Sequence, residues 1–233
     1  EKVANKDFIL AFNFKSNLVD KNYLEKIEKN KNMIFFPSML QVESFIQSGV
    51  NTGCQDVSLL NQNCTGEITV SMLKNDEVRY CIVGHSERRK FLLEKGALLA
   101  RKIGELINYD ITPVLCIGEA EKMDFDKTKE FLASQIDEIN QFFDNFDIFQ
   151  REIILAYEPV FAIGSGQACD KDHIKLVVDF LKENYNFSKV LYGGSVNETN
   201  CEELSQIDCL DGFLIGGASL DSKKVNEISK KVG

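Results

Sequence analysis

The chain has 233 residues, 44% hydrophobic and 27% charged, enough to bury a sizeable core as one large α/β domain or as two small ones. Lys plus Arg (27) against Asp plus Glu (36) leaves a formal charge of −9, and the longest basic cluster, "RRK" at 88–90, is too short to follow a phosphate backbone, which excludes nucleic acid as a partner. No apolar run approaches the ~20 residues that span a bilayer, and "EKVANKDF" at the N-terminus does not read as a signal peptide, so no membrane partner and a cytoplasmic, globular protein are expected.

Short apolar runs then alternate with longer amphipathic ones. The first strand is expected at 8–14 (FILAFNF), the second at 33–37 (MIFFP) and a weaker third near 50–55. YCIVG (80–84) and PVLCIG (113–118) are the fourth and fifth, and the stripe Leu132, Ile136, Ile139, Phe143 predicts a helix beyond them. EIILAYE (152–158) is the sixth strand; Ile174, Val177, Val178, Leu181 and Tyr185 mark the helix that follows it. After the seventh strand, KVLYGG (189–194), Thr199 to Glu202 (TNCE) have capping-box spacing before a further helix, and GFLIGG (212–217) ends the series. Most of these runs are continuously apolar, the mark of parallel strands covered on both faces. About eight β–α units without a linker predict a (β/α)8 barrel, a parallel eight-stranded barrel surrounded by helices, as a single domain over residues 1–233; a doubly wound open sheet is the alternative.

Seven cysteines at irregular spacings with no CxxC, several of them inside strands (Cys81, Cys116), fit reduced thiols better than a disulfide framework. The two histidines, His85 and His173, lie far apart in sequence, so no metal is expected.

In a parallel barrel the chemistry belongs at the carboxyl ends of the strands. The first run ends in Asn13 and Lys15, the fourth in His85 and Glu87, the sixth in Glu158, the seventh in Gly193, Gly194 and Ser195, and the eighth in Gly216 and Gly217. Singly, each has a bland reading: a solvated carboxylate, a core histidine, a surface lysine, plain turns. Together, at one end of one sheet, they suggest a base, an electrophile and an anion cradle.

"FNFKSN", "GHSERR", "CIGE", "AYEPVFAIGSGQ", "LYGGSVN" and "GFLIGGASL" resemble the motifs of the triosephosphate isomerase family, in that order and essentially from end to end. The resemblance implies interconversion of dihydroxyacetone phosphate and glyceraldehyde 3-phosphate, without cofactor or metal. It implies Glu158 as the base, His85 as a neutral electrophile, Lys15 as the positive charge facing the enediolate, Asn13 as a substrate contact and Glu87 as a second carboxylate orienting Lys15. Gly164, Ser195, Gly216 and Gly217 match phosphate-binding positions. Pro159, Val160, Phe161, Ala162, Ile163, Gly164, Ser165 and Gly166 match a lid, with Ile163 and Leu214 as apolar groups pressed around the base. The neutral imidazole and the closing lid are taken over from this family, which is the usual illustration of both. "SERRK" after His85 is expected to open a helix whose dipole disfavours the imidazolium.

Phe14 and Phe161 stand where the family usually has tryptophan, Ser16 replaces a common methionine, and the third-strand region is shorter and divergent. That region carries Thr65 to Glu67 (TGE), similar to the tip of a loop that inserts into a partner subunit, which implies a homodimer. A barrel acting on another sugar phosphate, and a barrel kept as a non-enzymatic binding protein, are the rival readings.

Overall fold

The computed structural model describes residues 7–60, 63–145 and 150–232. Among them eight strands form a closed parallel barrel in sequence order: Ile9–Asn13 (β1), Met33–Phe36 (β2), Asn51–Cys54 (β3), Tyr80–Val83 (β4), Thr112–Ile117 (β5), Ile154–Tyr157 (β6), Lys189–Tyr192 (β7) and Gly212–Ile215 (β8). β8 closes onto β1 through Ile9↔Gly212 to Phe12↔Ile215. Each strand falls within a residue or two of its expected place, and the open sheet is set aside. Residues 1–6, part of the stretch read as no signal peptide, lie outside the described residues.

β3 is weak in sequence because it is short and small-sided. It pairs two positions with each neighbour, Ile34↔Asn51 and Phe35↔Thr52 on one side, Gly53↔Tyr80 and Cys54↔Cys81 on the other. Gly53 cannot carry a side chain there, because a Cβ would sit 2.3 Å from the Phe36 ring.

Helices cover the outside: Val42–Gln47 (α1), Val70–Asn75 (α2), Ser86–Phe91 (α3), Gly96–Asn108 (α4), Phe125–Asn140 (α5), Lys171–Asn184 (α6), Cys201–Leu204 (α7) and Ser222–Val232 (α8). Leu132, Ile136 and Ile139 form the buried stripe of α5, and Ile174, Val177, Val178 and Leu181 that of α6. The expected capping box at Thr199 to Glu202 is not the observed cap. The Thr199 hydroxyl donates to Asn197 Oδ1 at 2.6 Å, and the same oxygen takes the Thr199 and Asn200 amides, so an asparagine turn starts α7. A threonine whose hydroxyl is drawn back to Asn197 does not cap the helix ahead of it.

Alternation along the strands sorts the core into two shells. Ala11, Ile34, Phe36, Ile82, Val114, Cys116, Ile154, Ala156, Leu191 and Leu214 fill the barrel interior. Leu10, Phe12, Cys81, Val83, Leu115, Leu155, Tyr157, Val190, Tyr192 and Phe213 point out under the helices. Phe14 joins the outer shell, 1% exposed, edge-on to Tyr23 at 5.6 Å and to Phe45 at 5.3 Å between ring centres. All seven cysteines are free thiols. No helix among the described residues is long and apolar enough to cross a membrane.

Candidate active site

The same two-residue period delivers the polar groups to one place. On β1, Ile9 and Ala11 face the interior, so Asn13 does too; on β6, Ile154 and Ala156 place Glu158 inward. On β7 and β8, Leu191 and Leu214 lead to Gly193 and Gly216. At β4 the left-handed turn at Gly84 (φ 68°) interrupts the alternation, and His85 follows as the N-cap of α3. Asn13, Lys15, His85, Glu158, Gly164, Ser195, Gly216 and Gly217 all line one cleft of about 250 Å³, with Ile163 and Leu214 as its apolar wall. Glu87 is not among them. It lines an adjoining cavity of about 450 Å³ that shares Asn13, Lys15 and His85 with the cleft, and its Oε2 lies 3.4 Å from His85 Nδ1.

Glu158 is 2% exposed, and its charge is met by hydrogen bonds. Oε1 lies 3.0 Å from His85 Nε2, and Oε2 accepts the Ser86 backbone N–H at 3.4 Å. The other imidazole nitrogen, Nδ1, accepts the Glu87 backbone N–H at 3.3 Å, so the ring proton belongs on Nε2, which donates to Glu158. Burial is the largest single effect and pulls the His85 pKa down, but the charge and hydrogen bond of Glu158 together with the charge of Glu87 outweigh it, Lys15 opposing, and the net shift is upward. That upward hold depends on Glu158 resting against the ring. Once the carboxylate turns away to another partner, burial and the blocked Nδ1 favour the neutral form.

Lys15 occupies the left-handed region (φ 51°), a strained setting for a lysine backbone. Three contacts hold it there. Its N–H donates to Asn13 Oδ1 at 3.0 Å, its carbonyl accepts from Gln55 Nε2 at 2.8 Å, and its ammonium pairs with Glu87 Oε1 at 2.5 Å. Asn13 and Glu87 thus fix the direction of the one lysine in the cleft.

Past Glu158 the chain makes a short 3₁₀ turn, Val160–Ala162, capped by Pro159 (φ −63°), whose carbonyl accepts the Ala162 N–H at 2.8 Å. The Ala162 carbonyl accepts from Ser195 Oγ at 2.6 Å and from Ser165 Oγ at 3.0 Å, pinning the segment to the end of β7. Gly164 (φ 67°) and Gly166 (φ 77°) take conformations that a side chain would strain. Neither would meet another atom within 4 Å if given a Cβ, so backbone conformation alone calls for glycine.

Three groups of contributors go beyond the roles read from the sequence, which places Gly193 only in an anion cradle. Gln55, from the loop after β3, braces Lys15. Gly118 and Gly193 flank Glu158 so closely that a Cβ would lie 1.7 Å from the Glu158 carbonyl oxygen in one case and 2.9 Å from its Cγ in the other. Glu119, Tyr157 and His173 form a hydrogen-bonded group behind the segment after β6. The motifs "CIGE", "AYEPVFAIGSGQ" and "LYGGSVN" contain Gly118, Glu119, Tyr157 and Gly193, while Gln55 and His173 lie outside every motif. Among the described residues no group of three or more His, Cys, Asp or Glu side chains is placed to hold a metal ion.

A family model described as triosephosphate isomerase matches residues 8–232. The chain is 40% identical over 206 residues to a triosephosphate isomerase of Vesicomyosocius okutanii, covering 84% of this chain and 82% of that one. It is 35% identical over 230 residues to that of Mesomycoplasma hyopneumoniae (96% and 91%) and 35% identical over 214 residues to that of Entamoeba histolytica (85% and 81%).

Proposed function

The chain belongs to the triosephosphate isomerase family, and we propose that it carries out that family's reaction with Glu158 as the base that moves the proton. The activity is an intramolecular aldose–ketose isomerisation of glycolysis, dihydroxyacetone phosphate to D-glyceraldehyde 3-phosphate and back through an enediolate. The observation that carries the residue assignment is the joint placement of Glu158, His85, Lys15 and Asn13 around one cleft rimmed by Gly164, Ser195, Gly216 and Gly217.

The chemistry follows from that geometry. A proton next to a carbonyl is weakly acidic, so the negative charge forming on oxygen must be met by donors already in place. His85 Nε2–H is such a donor, freed when Glu158 leaves it for the substrate carbon. Lys15, held by Glu87 and Asn13, supplies fixed positive charge, and Asn13 contacts the substrate oxygens. The backbone amides of Gly164, Ser195, Gly216 and Gly217 take the phosphate, a local field that operates despite the net charge of −9. Residues 159–166 act as the lid; excluding water shields the enediolate.

The same reading extends to a homodimer. The tip at Thr65 and Gly66 is exposed, and the cavity of about 450 Å³ beside Lys15 has Phe91 and Leu92, 69% and 59% exposed, on its wall. An apolar rim of that kind fits a partner's loop. A single barrel domain for the whole chain belongs to the reading, as does a cytoplasmic setting, supported by seven free thiols.

The assignment is tested by a structure with a bound two-carbon phosphorylated carboxylate. Glu158 is expected to leave His85 for the ligand, with 159–166 folded over it; a ligand lodged elsewhere would overturn it. Sedimentation at micromolar concentration is expected to give twice the mass of one chain, against a fully active monomer.

A further inference from the structure

One buried carboxylate grips the chain on both sides of Glu158. Glu119, 0% exposed at the end of β5, accepts the Tyr157 hydroxyl on Oε1 at 2.8 Å and the Val160 N–H on its backbone carbonyl at 2.9 Å. Tyr157 precedes the base, and Val160 lies two residues after it. Glu119 Oε2 is buried without a hydrogen-bond partner among the described residues, so this carboxylate works through its other oxygen.

Burial, and then the Glu119 charge, push the Tyr157 phenol far above its ordinary pKa, and it keeps its proton throughout. That proton goes to Glu119, which leaves the phenol oxygen as an acceptor. His173 Nε2 lies 3.2 Å from this oxygen and 3.7 Å from Glu119 Oε1. With the phenol's one hydrogen committed, the imidazole must be the donor. His173 stands in the first turn of α6, which starts just after the proposed lid, and its backbone N–H donates to the Asp170 cap at 3.2 Å. A cavity of about 300 Å³ separates His173 from Phe161, Ala162 and Ser165 of the lid.

We propose that His173 is a positioning residue for the isomerisation: its hydrogen bond to Tyr157 couples the far end of the lid to the Glu119 grip at the near end. The two ends then move as one unit when the lid closes, and Glu158 is carried to a fixed place. This rests on 159–166 being a lid over Glu158.

Wild type, Glu158→Gln, His173→Leu and His173→Gln are compared in a coupled isomerase assay, in affinity for a two-carbon phosphorylated carboxylate, and in thermal melting. His173→Leu removes one neutral hydrogen bond and is expected to lower kcat/KM and analogue affinity about five- to tenfold. His173→Gln, whose amide can donate to the phenol, is expected to recover to within about twofold. In a Tyr157→Phe background, His173→Leu is expected to have no further effect. A folded His173→Leu with unchanged kcat/KM and affinity would overturn the proposal, as would an equal loss in the Tyr157→Phe background. Should His173→Leu not fold, His173→Asn, with an amide too short to reach, takes its place with the same expectations. Full activity in Glu158→Gln would instead overturn the base assignment, whatever the His173 variants do.

Discussion

Gly193→Ala places the smallest side chain directly behind the proposed base. Its Cβ would sit 2.9 Å from Glu158 Cγ, 3.6 Å from Oε1 and 3.5 Å from the Tyr157 carbonyl oxygen. Ordinary contact begins near 3.4 Å, so Cγ must retreat by 3.4 − 2.9 = 0.5 Å, because the backbone oxygen on the other side is fixed in the β6–β7 ladder. Carried out to the carboxylate, that is a displacement of about 0.5–1 Å, and a misplacement of about 1 Å at a reacting group costs up to ~10²-fold. The fold itself should tolerate the change. Gly193 is not in the left-handed region, and its N–H still donates to the Tyr157 carbonyl at 2.8 Å. Coupled assays in both directions should show kcat/KM lowered roughly 10- to 100-fold, with little change in melting temperature. A folded Gly193→Ala enzyme within twofold of wild type would refute the packing argument.

With only two histidines, the imidazole titrations can be followed one by one in the NMR spectrum. His85 is expected to titrate above its ordinary value of about 6.5 without ligand and to fall when a phosphorylated analogue draws Glu158 away; an unchanged or higher value in the complex would contradict the hand-over. Because its folded pKa is raised, the His85 contribution to stability is full below the unfolded value and is lost as pH rises through the folded one. Urea midpoints measured from pH 6 to 8 should therefore show a slope that His85→Gln reduces, and equal slopes would count against it. Lys102, its side chain 5% exposed, pairs with Asp56 at 2.6 Å and Glu94 at 2.8 Å. Lys102→Met leaves Glu94 held only by Arg88 at 2.9 Å, which should cost about 3 kcal/mol in urea unfolding; a loss below about 1 kcal/mol would show that the network relaxes around the gap.

The barrel was legible because its strands are buried on both faces, so apolar runs such as ILAFN and GFLI stand out from the helical stripes between them. β3 was faint because Thr52 and Gly53 carry little apolar surface, and what fixes it is the Phe36 ring and its two neighbours. The candidate site was legible where a polar residue ends an apolar run, as at Glu158 and Asn13. Gln55 and His173 gave no such signal, since each reaches its partner across the fold: 40 residues separate Gln55 from Lys15, and 16 separate His173 from Tyr157. Glu87 reads from its motif as the carboxylate that orients Lys15; its Oε1 lies 2.5 Å from the lysine ammonium and its Oε2 3.4 Å from His85 Nδ1. At Thr199 the spacing matched a capping box, and a nearer acceptor, Asn197, took the hydroxyl.

The most direct measurement is Glu158→Gln in the coupled isomerase assay, with analogue affinity determined on the same sample. Gln keeps the shape and loses the basicity, so kcat/KM is expected to fall by ~10²–10⁴ while the phosphorylated analogue still binds. A Glu158→Gln enzyme turning over at the wild-type rate would contradict the role of Glu158 as the base.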